Sequence, residues 1–387
     1  MARGWQALKI SLVSALCLAV VLGTVGLILP REAYEAGTGT AELREALTGL
    51  TEELRFETNA KMAAMPRGDV KNAGSFQALD TPVMEVTRET PRSMYLRGFV
   101  GSVYEAGSWE ELPAGSYGGR FTGIMEWLGQ NGFYPQTQLG QAMEAAEEPD
   151  RARVSVKNLA LSSKYAYAPY EVLTGLDLSP DQVNYHMDHE ILSRGLRGQR
   201  TFTFETVLLP NTDYAAADLS PLLLSEEDQG EEARVYREME TLYRTFVYDA
   251  YLEVPEEADR LLQGFYTANA LEDLRGLSYQ EVAAALRKAF YQDFTFSYEA
   301  EKPGAGKEFL SDFLRKKEGY QIHFATLAAL LFREAGIPAR YAEGFYITPG
   351  DVSIYTEMES IVFPLTDDSA HAWTEVYACL LYTSRCV

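Results

Sequence analysis

The residues that could do chemistry cluster in two stretches near the end of the chain. The first is GYQIHFATLAALLFREAGIPARYAEGFYITPGD, residues 319–351. Phe324, Ala328 and Leu331 recur at helical spacing, Gly336 stands where a helix ends, and Pro338 prevents its continuation. A helix therefore starts close to Gln321, with His323 two residues on. The positive end of the helix dipole favours an ionised group such as a thiolate there. Gln321 gains nothing from it, because a primary amide is neutral and poorly nucleophilic. The second stretch is HAWTEVY, where strict alternation puts His371, Trp373, Glu375 and Tyr377 on one face of a strand.

The elements around these stretches change character along the chain. Ile10–Leu29 is an uncharged apolar run. At about 1.5 Å per residue it is long enough to cross a bilayer core of about 30 Å. Arg3 and Lys9 precede it, which keeps the N-terminus cytoplasmic and the bulk of the chain outside the cell membrane. A transmembrane anchor is expected over residues 1–30, in a protein of single or multiple passes. Leu43, Leu47, Leu50 and Leu54 then mark one helix face, so residues 31–77 read as a juxtamembrane helical stalk.

Residues 78–215 read as an extracellular β-rich, sandwich-like domain. MEVTRET, RARVSVKNLAL and TFTFETVLL alternate, with Val154 and Val156, then Phe202 and Phe204, facing inward. YLRGFVGSVYEAGSWEEL fits a hairpin turning at Ala106-Gly107, and FTGIMEWLGQNGF and QAMEAAEE form a helical insertion. Helices dominate beyond Ser220, one of them opened by a Ser278–Glu281 capping box. The fold class is α+β.

The 387-residue chain carries a net charge of −22 and 47% hydrophobic residues. That charge argues against nucleic acid as a partner. Cys17, Cys379 and Cys386 are the only cysteines, so residues 30–378 hold neither a disulfide framework nor a cysteine metal site. His186 and His189 lie at i, i+3 beside Asp188 and Glu190, and are read as exposed loop residues rather than metal ligands. Gly304–Lys307 lacks Walker spacing and reads as a turn, Asp367-Asp368 as another, exposed one. The alternating run Tyr165–Tyr170 reads as a strand packed on the core.

The combined wording is more specific than any element. Gly319-Tyr320-x-x-His323-Phe324-Ala325, Arg333-x-x-Gly336-Ile337-Pro338-Ala339-Arg340-Tyr341, Gly344-Phe345 and His371-Ala372-Trp373-x-Glu375-Val376-Tyr377 resemble the transglutaminase-like superfamily. The resemblance spans roughly residues 235–377 and implies a papain-like α+β domain, here over 216–378, of a bacterial membrane-anchored protein. It implies a catalytic Cys where Gln321 stands and the catalytic His at His371. Tyr320, His323, Trp373 and Glu375 become cleft candidates. No cofactor is called for.

The third triad residue should follow HAWTEVY, but the chain ends first, so the domain is expected to be truncated. One set of codons for Cys379–Val387 contains TACACATCTAGATGTGTA, its own reverse complement. Residues 379–387 are accordingly read as a sequencing-adapter artefact. The expected protein is a pseudoenzyme held in the bilayer by one helix, binding an extracellular protein or a cell-wall ligand. The alternative is an acyltransferase or peptidase using His371 without a cysteine.

Overall fold

The computed structural model describes residues 56, 65–146, 150–173, 183–195, 197–208, 230–271, 274–304, 306–353, 361–378 and 381–385. The expected membrane helix and the leucine seam of the stalk lie outside the described residues. Among the described residues no helix is long and apolar enough to cross a membrane. The described end of the expected stalk is not helical beyond one 3-10 turn, Val70–Asn72. Pro66, Gly68 and Gly74 oppose a longer helix, and Val70 and Phe76 are buried in the main core.

Chain order begins with β1 (Pro82–Arg88), β2 (Met94–Gly101), β3 (Val103–Glu105) and β4 (Ser108–Glu110). Ala106 and Gly107, with φ of +49° and +75°, join β3 to β4 as a tight hairpin. A glycine at the second turn position makes that left-handed pair affordable. Helices α1 (Ile124–Gln130) and α2 (Gln138–Ala146) form the expected insertion. Next come β5 (Arg151–Asn158), β6 (Ala168–Pro169), β7 (Val183–Tyr185), β8 (Ile191–Ser193) and β9 (Thr201–Val207). Val154 pairs with Phe204 and Val156 with Phe202, all four buried, as their alternation demands.

The second half opens with α3 (Glu231–Ala250), α4 (Glu256–Asn269) and α5 (Tyr279–Asp293). The capping box at α5 is formed by Ser278 and Glu281. Strand β10 (Thr295–Phe296), α6 (Phe309–Lys316) and β11 (Glu318–Gly319) lead into α7 (Gln321–Glu334). Then follow β12 (Ala339–Ile347), α8 (Pro349–Ser353), β13 (Ile361–Thr366), β14 (Ala370–Ala378) and β15 (Leu381–Arg385).

The two larger sheets run in the orders β13-β1-β5-β9 and β15-β14-β12-β2-β6, and β3-β4, β7-β8 and β10-β11 form two-stranded pairs. Both larger sheets cross the boundary expected at residues 215/216. Strand β13 pairs antiparallel with β1, and β12 pairs with β2. Residues 58–387 form one compact unit. Two successive domains are therefore replaced by one interleaved body, because each of the two larger sheets joins strands from both halves of the chain. The next strand position after β14 is filled by Leu381–Arg385.

The five-stranded sheet is covered on both faces. On one, α7 packs with Tyr341, Phe345, Ala372 and Val376 in a core that continues to β1, β5, β9 and β13. On the other, Trp373, Tyr377, Tyr95 and Ala342 pack against residues of α1, α2 and α3. Helix α7 is buried all round, as a central helix must be.

A charged network threads the second face. Arg340 on β12 donates to Glu375 Oε2 through Nε (3.1 Å) and Nη2 (2.9 Å), and Arg97 on β2 donates to Glu375 Oε1 at 3.0 Å. Arg340 Nη1 donates to the carbonyl of Asp188 at 2.9 Å. The Asp188 carboxylate accepts from Tyr117, Tyr243 and Tyr251 at 2.6, 2.8 and 2.6 Å. Removing one partner from a buried pair strands the other's charge, at a cost of about 3–5 kcal/mol. Glu375→Gln should lose stability on that scale in a urea titration. Arg120→Ala, which removes an exposed ion pair with Asp249, should cost no more than about 1 kcal/mol.

Candidate functional site

Gln321 is the first residue of α7, directly after the N-cap Tyr320. It is 9% exposed. Its Nε2 donates to the Tyr298 hydroxyl at 2.8 Å, and among the described residues its Oε1 has no hydrogen-bond partner. Tyr298 is set beside it by the pairing of β10 with β11, since Ser297 N donates to Gly319 O at 2.8 Å. Phe296 stacks on Phe324 of α7 next to this contact, ring centroids 6.2 Å apart. The position therefore offers an amide in an aromatic setting.

His371 lies on the other side of the sheet. Opposite Gly344 in the β12–β14 register, its ring packs with Tyr346 (5.5 Å), Tyr95 (6.2 Å) and Trp373 (6.4 Å). The alternate residue Thr374 faces α7 and donates to the carbonyl of Ala325 at 3.0 Å. Alternation thus carries His371, Trp373, Glu375 and Tyr377 together, as their spacing requires, but onto the face away from α7. Burial lowers the His371 imidazole to about 4, so it is neutral at pH 7.

The four cleft candidates are buried structural groups. The Tyr320 hydroxyl donates to Gly74 O at 2.9 Å. His323 packs its ring on Phe309 and Phe313, with centroids at 4.8 and 5.1 Å, and its Nδ1 accepts from Tyr320 N at 3.3 Å. Trp373 Nε1 donates to the Tyr170 hydroxyl at 2.9 Å. Glu375 also accepts from Tyr170, besides its two arginines. Burial alone would raise the Glu375 carboxyl, but Arg97 and Arg340 hold it below the usual range.

Two loop readings are corrected as well. Asp188, His189 and Glu190 are buried, not exposed. His189 Nδ1 lies 3.3 Å from Ser102 Oγ, and Glu190 Oε1 accepts from Val100 N at 3.1 Å. Among the described residues no group of His, Cys, Asp or Glu could hold a metal ion. Asp367 is buried too and accepts from Leu79 N and Thr81 N, both at 3.0 Å, fixing the strand entry into β1. Tyr165, Tyr167 and Tyr170 are buried, but only Ala168–Pro169 is strand, and Tyr170, out of phase with the other two, packs in the core on the opposite face.

One feature has no counterpart in the sequence reading. A cavity of about 200 Å³ is lined by Met65, Arg67, Tyr165, Tyr167, Glu343 and Phe345, among others. Glu343 stands on the α7 side of β12, in phase with Tyr341 and Phe345. A single acid among apolar residues at inward-facing alternate positions was the signal available for it.

Residues 266–381 match the family described as the transglutaminase-like superfamily. Over 86 residues the chain is 34% identical to the uncharacterized protein YebA of Bacillus subtilis (strain 168). That match covers 21% of this chain and only 11% of the curated relative's length. Among solved structures, the ethylmercury-bound periplasmic domain of TgpA from Pseudomonas aeruginosa is 17% identical, with a TM-score of 0.46 over 84% of this chain and 94% of that one. A second structure of the same domain is 15% identical, with a TM-score of 0.49 over 84% and 91% of the two chains.

The buried imidazoles make acid a specific stress. Burial lowers His323 to about 4. A depressed histidine contributes stability that is complete above its unfolded value near 6.5 and is lost as pH falls through about 4. Urea midpoints should therefore fall between pH 6.5 and 4. His323→Phe, which keeps the ring packing and cannot titrate, should fall less steeply over that window.

Proposed function

With residues 266–381 a transglutaminase-like domain, we propose that this domain is catalytically silent and serves as a binding module for a protein or cell-wall ligand outside the cytoplasm. The observation that carries the reading is Gln321 at the first position of α7, its amide engaged by Tyr298. Acyl transfer through a covalent thioester needs a thiolate with a general base in reach. A carboxamide supplies no such nucleophile, and residues 30–378 contain no cysteine to replace it. The packing of His371 with Tyr95, Tyr346 and Trp373 adds to this, since an imidazole held there does not serve the start of α7.

Placement outside the cytoplasm rests on the apolar run Ile10–Leu29 behind Arg3 and Lys9. In this reading the run anchors the protein and the interleaved body presents its surface to the partner.

Amine-incorporation and peptide-hydrolysis assays on the full chain test the proposal. Neither reaction should exceed the uncatalysed rate. Gln321→Cys should remain inactive in both, because a thiol restored at α7 still lacks an imidazole on its side of the sheet. Turnover by the native chain that disappears in His371→Ala would overturn the proposal and favour a cysteine-independent acyltransferase or peptidase.

A further inference from the structure

Glu343 on β12 is buried and already holds three donors. Gly68 N and the Tyr341 hydroxyl donate to Oε1 at 2.9 and 2.7 Å, and Arg67 N donates to Oε2 at 2.7 Å. A carboxylate oxygen accepts two hydrogen bonds, so Oε1 is filled and Oε2 keeps one place open. The segment that carries the two N–H groups is fixed in its path. Gly68 takes φ +84°, and a Cβ there would lie 2.1 Å from Trp109 O, so only glycine fits.

Glu343 lines the cavity of about 200 Å³ together with two tyrosines, Tyr165 at 4% exposure and Tyr167 at 6%. The Tyr167 ring stands at 70° to that of Tyr165 and at 74° to that of Phe345, each pair with centroids 5.9 Å apart. Three rings thus form sides of a box. Gly98 on β2 lets the Tyr167 ring lie against the strand, since a Cβ there would come within 3.0 Å of its Cε1. Among the described residues neither tyrosine hydroxyl has a hydrogen-bond partner. Buried hydroxyls are costly to leave unbonded, so two of them on one cavity point to a guest that bonds them.

Arg67 supplies the opposite charge. It is exposed where it lines the cavity, and its charge acts on Glu343 and on both hydroxyls. Among the described residues its guanidinium forms no ion pair. An acid and a base thus share one cavity without meeting. A purely cationic guest would face the Arg67 charge, and a purely anionic one the Glu343 carboxylate. A guest with both charges is favoured by each. Met65, Phe99, Leu161 and Phe345 add apolar wall for a hydrocarbon portion. The volume equals that of roughly six or seven waters at about 30 Å³ each, room for a molecule of about that many heavy atoms.

We propose that this cavity binds a free α-amino acid with a small apolar side chain. The ammonium donates to Glu343 Oε2 and to one tyrosine hydroxyl. The carboxylate accepts from Arg67 and from the other hydroxyl, and the side chain lies against Phe99 and Phe345. The assignment does not rest on the function proposed above, because none of these residues belongs to the start of α7 or touches His371.

Isothermal titration of the full chain at pH 8 with L-alanine, L-valine and L-leucine tests the site. At least one should bind saturably, one molecule per chain. The N-acetyl derivative of the tightest binder lacks the ammonium, and its decarboxylated amine lacks the carboxylate. Each should bind at least about tenfold more weakly. Arg67→Ala keeps the backbone N–H on Glu343 and should weaken the amino acid about tenfold without weakening the amine. Tyr167→Phe removes a hydroxyl that bonds nothing within the described body and should weaken binding about threefold or more. Glu343→Gln should remove the preference for the amino acid over its N-acetyl derivative. The first two variants leave the described hydrogen bonds of the fold intact, so they decide the matter even if Glu343→Gln fails to fold. No saturable binding of any of the three amino acids, equal binding of either derivative, or unchanged affinity in Arg67→Ala or Tyr167→Phe overturns the assignment.

Discussion

The structure hangs on a carboxylate, Glu375, clamped between Arg340 and Arg97 in the middle of the five-stranded sheet. Three strands meet there: β14 and β12 from the second half of the sequence and β2 from the first. Charges this deep tolerate no register error, because a slip of one residue would put a guanidinium against the apolar face of α7. The clamp extends through Arg340 to the Asp188 carbonyl, and so to the tyrosines that fasten α3 and its following segment. Arg333 adds a parallel tie, donating to the carbonyls of Ala339, Glu253 and Ser102 at 2.8, 2.8 and 2.6 Å. Sequence-distant segments are thereby welded into one body.

The clamp also decides which way the candidate chemistry points. Once Arg340 and Glu375 turn toward α3, alternation sends Thr374 toward α7 and keeps Trp373 and His371 with the clamp. The start of α7 is left with Gln321, Tyr298 and the aromatic side chains around them. A neutral amide suits that place energetically. An ionised group would need to keep its charge in a nearly closed aromatic setting, whereas the amide needs only hydrogen-bond partners.

Local signals in the sequence were legible because their causes are local. The Ala106-Gly107 turn, the Ser278–Glu281 cap, the stop at Gly336 and the inward faces of β5 and β9 depend on nearby residues and simple periodicity. The stretch that matches the transglutaminase-like family was legible too, since its motifs lie within a few short segments. The interleaving was not. Pairing of β1 with β13 joins residues nearly the whole body apart in sequence, and alternation specifies a buried face without naming what covers it. The same gap misassigned Asp188, Asp367 and Glu375. Acidic residues beside turns or candidate sites resemble exposed or catalytic groups until tyrosines, backbone N–H groups or arginines are seen converging on them.

Two buried carboxyls on the same sheet show how partner chemistry divides their roles. Glu375 meets two guanidiniums, and their charge overcomes the cost of burial, so it stays ionised and fixed. Glu343, only a few residues from Arg340 but on the opposite face, has mainly dipolar partners: two backbone N–H groups and a hydroxyl, with Arg67 as an exposed cation. Dipoles recover less of the lost hydration than opposite charges do, and the carboxyl is left near neutrality, at about 7. The first arrangement resists change because both charge states of its surroundings are committed. The second sits where a modest change in pH alters its charge, and it holds a segment that already stands at the border of the body. Rigidity and responsiveness are thus separated across the thickness of one sheet.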